Sequence, residues 1–317
     1  MQSIACVGEG AVFITAAAWQ TTPAESNWQA AGAAQVALMV AELKGDGHFV
    51  GTIADDGWGE ALQQRLQQQP QLTVSVNING DCSPCWRYNP PAEPNLKGTW
   101  LEYRADGMVP QQPLKNGNPL LPIVDWYQIA IGFFNSSSWR ESQWPEQTLQ
   151  ALERAHQCGV VVVLAAFFPL STAVANGKNV PQPINPSGLA QWAMHFEASW
   201  LFVDVALFQR HELQALAAQQ GQSPTLYVQR LSALGVSLIF IFDEKHGQLI
   251  WHAQHGHGDH SFCPSALPWR MASERFCAAF LWQLQQSADP KFALSDPLQL
   301  QPLLRFACHY GCLEGLA

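Results

Sequence analysis

Five of the ten histidines fall between positions 246 and 260, four of them in the run His252-Ala-Gln-His255-Gly-His257-Gly-Asp259-His260. His255, His257, Asp259 and His260 have the HxHxDH form, in which imidazole and carboxylate ligands on one loop hold zinc and activate water. A hydrolytic centre of that kind needs further His and Asp ligands well downstream. The residues after His260 contain a single histidine, His309. We therefore read the run as a polar hairpin tip, with zinc binding as a remote alternative. Cys82-Ser-Pro-Cys85 has the spacing of a redox or half-zinc pair. A redox pair opens a helix whose N-terminus lowers the thiol pKa. Here Trp86 and Arg87 lead into Tyr88-Asn-Pro-Pro, which cannot be helical, so a structural turn is expected. Cys308-His309-Tyr310-Gly311-Cys312 offers zinc ligands but no second matched pair, and helix packing is the simpler reading.

The background against which these groups stand is apolar and weakly charged. The chain has 317 residues, 48% of them hydrophobic and 13% charged, with 16 Lys+Arg against 25 Asp+Glu. The net charge of −9 disfavours a protein that coats nucleic acid, which must neutralise phosphates with clustered cations. It equally disfavours an electrostatic anchor on anionic lipid. The longest apolar stretch, 159–170 (GVVVVLAAFFPL), is too short to span a bilayer and reads as a buried strand running into a loop. The start, MQSIACVGEG, lacks the basic and apolar regions of a secretory signal. A cytoplasmic location with reduced thiols is the expectation, with Cys6, Cys158 and Cys277 acting as small hydrophobes.

Strands and amphipathic helices alternate along most of the chain. Strands are expected at 3–8, 11–15, 48–54, 72–78, 99–103, 126–131, 159–165, 200–205, 236–242 and 248–251. Helices are expected at 31–43, 59–68, 145–157, 187–198, 209–219, 223–234, 269–285 and 297–308. Such repeats predict an α/β fold with a mostly parallel central sheet and helices on both faces. Residues 80–120 are rich in Pro, Gly and Asn, which marks an excursion from the main body.

Four segments, in order, resemble the signatures of the ribokinase/PfkB carbohydrate kinases, and fructokinases in particular. AAGAAQVALMVAEL (30–43) is similar to that family's GGAPANVAVALARL, and FVGTIADDGWG (49–59) to its FIGKVGDDPFG. LGVSLIFIFDEKHG (234–247) is similar to the strand GVKLVVVTLGEKG, and LRFACHYGCL (304–313) to the helix LRFANAAGAL that borders the nucleotide pocket. The resemblance implies one ribokinase-like domain over 1–317, with a small β lid from segments near 10–30 and 72–120. It also implies ATP and magnesium as cofactors if the kinase site works, a sugar or nucleotide as ligand, and a homodimer through the lid.

The same resemblance implies where chemistry would sit. The family moves the ATP γ-phosphoryl onto a sugar hydroxyl, using an Asp base and helix N-terminal N–H groups from a GAGD motif. Aligned through the following helix, this chain reads Met271-Ala272-Ser273-Glu274. Glu274 would be the base, with Met271, Ala272, Ser273 and, on the last helix, Cys308 at the anion and nucleotide positions. The sugar positions fall on Glu9, Phe13, Ala31 and Gln35, with Phe13 replacing an Asp and Ala30-Ala31 a glycine pair. The Asp-Pro-Asn segment becomes Ala165-Ala166-Phe167. The magnesium-associated NxxE becomes Gln209-Arg-His-Glu212, keeping only the acid. Gly256-His-Gly-Asp259 mimics the GxGD form, but the prolines at 264 and 268 bar the helix that must follow it. Losses at sugar, base, anion and metal positions together predict a catalytically impaired kinase homologue, a pseudokinase that binds a sugar, nucleotide or protein. The alternative is an active fructokinase-like enzyme using Glu274.

Overall fold

The computed structural model describes residues 2–15, 28–79, 85–89, 99–103, 122–136, 144–166, 172–175, 178–181, 186–263 and 269–312. Strands β1 (Ser3–Glu9), β2 (Ala11–Thr15) and β3 (Trp28–Ala31) lead into helix α1 (Gly32–Glu42). Then come β4 (Gly47–Ala54), α2 (Gly57–Gln67), β5 (Leu72–Asn79), β6 (Cys85–Asn89) and β7 (Thr99–Tyr103). The middle of the chain forms β8 (Ile129–Asn135), α3 (Trp144–Gln157), β9 (Val161–Ala166), the strands β10 (Thr172–Ala175) and β11 (Lys178–Pro181), and α4 (Pro186–Ser199). It continues with β12 (Val205–Gln209), α5 (Arg210–Gln219), α6 (Pro224–Ala233), β13 (Leu238–Asp243), β14 (Gln248–Ala253) and β15 (Gly256–Ser261). The last elements are α7 (Trp269–Gln285), α8 (Pro290–Ser295) and α9 (Pro297–Cys312).

Nine strands make the central sheet in the order β15-β14-β13-β12-β9-β8-β1-β4-β5. From β13 to β5 all neighbours are parallel, and β14 and β15 add an antiparallel edge. The inner strands are apolar almost without interruption, as parallel strands covered on both faces must be: β9 and β13 are buried at every position. One core lies against α1, α2, α7, α8 and α9 and the other against α3, α4, α5 and α6. The α/β architecture expected from the alternation is therefore the one observed. Cys6 and Cys277 are buried in it, and burial pushes both thiols up.

A second sheet of four strands, β3-β2-β6-β7, grows from the C-terminal end of β1. Only Gly10 separates β1 from β2, and its N–H donates to Thr52 O at 2.8 Å. Residues 72–79, grouped above with the lid, pair in parallel with β4 as the edge of the central sheet instead. Much of the remaining lid span (16–27, 80–84, 90–98 and 104–121), together with Cys82, lies outside the described residues.

Two strands begin later than their apolar runs indicate. Trp126–Gln128 and Trp200–Phe202 are single 3-10 turns, and pairing starts at Ile129 and Val205. Asp125 causes the first delay by accepting the Tyr127 N–H at 3.2 Å. Asp204 fixes the second by accepting the Val162 N–H at 2.8 Å. The run read as a polar hairpin tip is itself the second arm of the hairpin, β15, although Gly-His-Gly-Asp-His-Ser has little strand propensity. Its pairing with β14 is supplied by the neighbour.

His48 illustrates how this packing couples to pH. Its Nε2 meets Ser75 Oγ at 2.8 Å across β4 and β5, and burial lowers its pKa from the ordinary 6.5. Between that lowered value and 6.5 the unfolded chain binds more protons than the native one. The stabilisation is thus complete above 6.5 and declines as pH falls toward the folded pKa. Urea midpoints are expected to drop from pH 7 to pH 5.5, with a shallower drop in His48→Gln. An identical slope in the variant would assign the effect to other groups.

Candidate active site

The ends of β1, α1 and α7 bring the implied catalytic positions to one place. β2 pairs with β3 in the register Ala11↔Ala31 and Phe13↔Gln29. Ala31 then serves as N-cap of α1 in extended backbone with no side-chain cap bond. Gly32 follows at φ 63°, a left-handed conformation that glycine adopts without steric cost. α7 starts at Trp269, so Met271 lies in its first turn and Glu274 one turn further on. Ala11, Phe13, Ala31 and Met271 form one small apolar cluster, none more than 6% exposed. Three of these four are positions that the kinase resemblance assigns to sugar or phosphate.

The polar residues of the site bond inward. Glu274, fully buried, accepts the Gly32 N–H on Oε1 at 2.9 Å. The helix it serves, α1, is buried at ten of its eleven positions, so water cannot satisfy its first amides and a carboxyl from α7 does. Ser273, also fully buried, takes a hydrogen bond from Gln209 Nε2 on Oγ at 3.3 Å. The Gln209 N–H in turn donates to Glu212 Oε2 at 2.7 Å in a capping box that opens α5. Ser273 and Glu212 are thereby joined through Gln209. Ala272 is buried, and its carbonyl would lie 3.1 Å from a Cβ built on Gly311, so α9 passes close to the start of α7.

The other expected residues are more scattered. Gln35 is buried one turn into α1. Cys308 is buried on α9, and burial together with Cys312 pushes its thiol up to about 12. Ala165 and Ala166 end β9 in the core, and Phe167 lies outside the described residues. Glu9 is the last residue of β1 and pairs with Thr52; its side chain is outside what is described.

The histidine run does not form one ligand set. His255 sits in the turn between β14 and β15, while His257 and Asp259 share one face of β15 and His260 points to the other. A strand turns successive side chains to opposite faces, which separates the ligands that the HxHxDH spacing groups. Among the described residues no group of three or more His, Cys, Asp or Glu could hold a metal ion. Gly256-His-Gly-Asp259 is likewise strand, not a helix N-terminus.

One charged group was not anticipated from the sequence. Asp243 ends β13 with 1% of its side chain exposed and accepts from Arg210 Nη1 and, at 2.7 Å, bonds His246 Nδ1. Burial pushes the carboxyl up, but the bonds from His246 and Arg210 outweigh it and hold it below its ordinary value. The signal was available: an acid closing a wholly apolar run is buried, and buried charges are paired. Arg210 opens α5 directly after β12, so the group lies at the C-terminal ends of adjacent parallel strands, where open α/β sheets bind ligands.

Comparisons with known proteins agree with this architecture. No protein-family model matches the chain, and the curated proteins give no significant match. Solved structures match over nearly its full length. A fructokinase from Xylella fastidiosa with bound ATP is 21% identical with a TM-score of 0.72, covering 98% of this chain and 91% of its own. A Vibrio cholerae fructokinase bound to fructose, ADP and calcium is 14% identical with a TM-score of 0.66, covering 99% and 92%. A ribokinase II described as putative, from E. coli and in complex with ATP and magnesium, is 13% identical with a TM-score of 0.66, covering 99% and 92%. Among the described residues, no helix is long and apolar enough to cross a membrane. In fold, the chain is similar to the fructokinases and ribokinase-family kinases.

Proposed function

We propose that this chain is a ribokinase-like protein that no longer phosphorylates a sugar and acts by binding a small-molecule sugar or nucleotide, or a protein partner. The observation that carries this reading is the contact among Ala11, Phe13, Ala31 and Met271. These four side chains offer no hydrogen bonds with which to orient a sugar hydroxyl for phosphoryl transfer, so any sugar that binds must be held by other groups. By the kinase resemblance, Met271 also falls at a position where phosphoryl transfer would require close backbone approach.

The remaining polar groups support the same reading. Magnesium held for phosphoryl transfer takes carboxylate oxygens together with the substrate phosphates. Glu212 bonds the Gln209 N–H, and Asp243 bonds Arg210 and His246. Each carboxylate is thus held through one oxygen by protein donors, Glu212 Oε2 by the Gln209 N–H and Asp243 Oδ2 by Arg210 and His246. Glu274 contributes a tertiary cap to α1, and a general base must instead reach the substrate hydroxyl.

The test is a coupled ADP-release assay with magnesium and ATP over a panel of hexoses and pentoses. The expected result is no sugar-dependent release above background. Sugar-dependent turnover that disappears in Glu274→Gln would overturn the proposal in favour of a fructokinase-like enzyme with Glu274 as base. Calorimetry with ATP alone then separates a nucleotide-binding protein from one that engages only a protein partner.

A further inference from the structure

The antiparallel register of the β14–β15 hairpin places His252 directly opposite His257. Their imidazoles face each other with centroids 6.1 Å apart and planes 20° from parallel. Trp251, the buried neighbour, lies across Gly258, whose added Cβ would meet the indole at 3.0 Å. The indole lies on the face that packs with the core of α7 and α9, so the two histidines project from the opposite face, where Ile250 packs against the second core. Among the described residues β15 is an edge strand of the central sheet, and His257 is exposed while His252 is half-buried.

We propose that His252 and His257 form a two-imidazole binding site for one divalent transition-metal ion of the zinc and nickel class. Water would complete the coordination shell. Imidazole is a ligand of choice for these ions. With Zn–N distances of about 2.0–2.1 Å, each ring centroid stands about 3 Å from the ion. At a tetrahedral angle the two centroids would stand about 5 Å apart, so from the observed 6.1 Å the rings must approach by about 1 Å and turn one nitrogen each toward the ion. Ligation requires the neutral ring. Burial and the neighbouring His257 both lower the His252 pKa, which favours the neutral form near pH 7. Asp259 shares the face of the two histidines, two residues beyond His257, and is tied by Gln248 Nε2 at 3.4 Å. Its charge attracts a cation to the pair.

This site differs from the one that the HxHxDH spacing points to. It recruits His252 from the preceding strand and leaves out His260, which points to the Trp251 face. It is also independent of whether the chain is a kinase.

The experiment is calorimetric titration of the full chain with zinc alone and with nickel alone. Substoichiometric nickel is also followed by NMR, through paramagnetic broadening of the histidine ring signals. One ion per chain is expected, with the His252 and His257 signals broadening first. His257→Gln and His252→Gln should each weaken binding on the order of tenfold or more, while His255→Gln and His260→Gln leave it unchanged. His257→Gln alters an exposed side chain, so an unchanged thermal melt checks that its fold is intact. Affinity that survives both cross-strand variants, or that falls equally with His255→Gln, would overturn the assignment.

Discussion

Replacing Gly51 with alanine is expected to unfold the chain, or to cost it more than about 4 kcal/mol. Gly51 lies in the middle of β4 opposite Gly8 of β1. A Cβ built there would come within 1.8 Å of the Gly8 carbonyl oxygen. The obstacle is backbone in the centre of a parallel sheet, so no flexible side chain can swing aside. Relief would require the β1 and β4 ladder to separate. Gly59 is a milder relative in the same segment: its Cβ would meet the Ala54 carbonyl at 2.0 Å, at the start of α2. Between them, Asp56 caps α2 by accepting the Gly59 N–H at 2.7 Å. The segment 49–59, whose resemblance to the kinase signature is the closest of the four, thus has a packing explanation at each of these positions. Chemical denaturation of Gly51→Ala measures the loss. A cooperative transition within about 1 kcal/mol of the parent would show that β1 and β4 can shift without penalty.

The second large effect concerns Glu274. Glu274→Ala is expected to cost about 2–4 kcal/mol, with no sugar or nucleotide present. The substitution leaves the Gly32 N–H buried without its acceptor and opens a cavity between α1 and α7. Glu274→Gln keeps an amide oxygen that can accept the same bond, so it should lose about 1 kcal/mol or less. This contrast separates two roles. A tertiary cap gives a large loss of stability with Ala and a small one with Gln. A catalytic base gives stability near that of the parent in both, with turnover abolished in both. Equal stability of parent, Glu274→Gln and Glu274→Ala in urea titrations would remove the capping role.

Particular residues show which features were legible beforehand. The buried inner strands could be read because a strand covered on both faces must be apolar throughout, as at 161–166 and 238–242. Their starting points could not. A run such as 200–203 is apolar whether it pairs or turns, and Asp204 decides the matter by bonding to Val162 of another strand. α7 was read with its observed bounds, 269–285, because a long apolar period closed by polar residues is a local signal. β15 carries no such signal, and only the register of β14 makes it a strand.

The candidate site divides in the same way. Residue identity alone establishes that Phe13, Ala31 and Met271 are apolar where the kinase resemblance implies hydrogen-bonding groups or glycine. It cannot establish that they touch, because positions 13, 31 and 271 meet only after β2, β3 and α7 converge. Nor can it establish that Glu274 serves α1, since the Gly32 N–H lies 242 residues away along the chain. The histidine run shows the converse error. Spacing along the chain groups His255, His257, Asp259 and His260, whereas the pleat separates them and the hairpin register delivers His252 to His257. Periodicity and composition are local quantities, and they determined the α/β class and most of the elements. Contacts between distant segments depend on how those elements pack, so the tertiary structure alone decided which carboxyl caps a helix and which histidines form a pair.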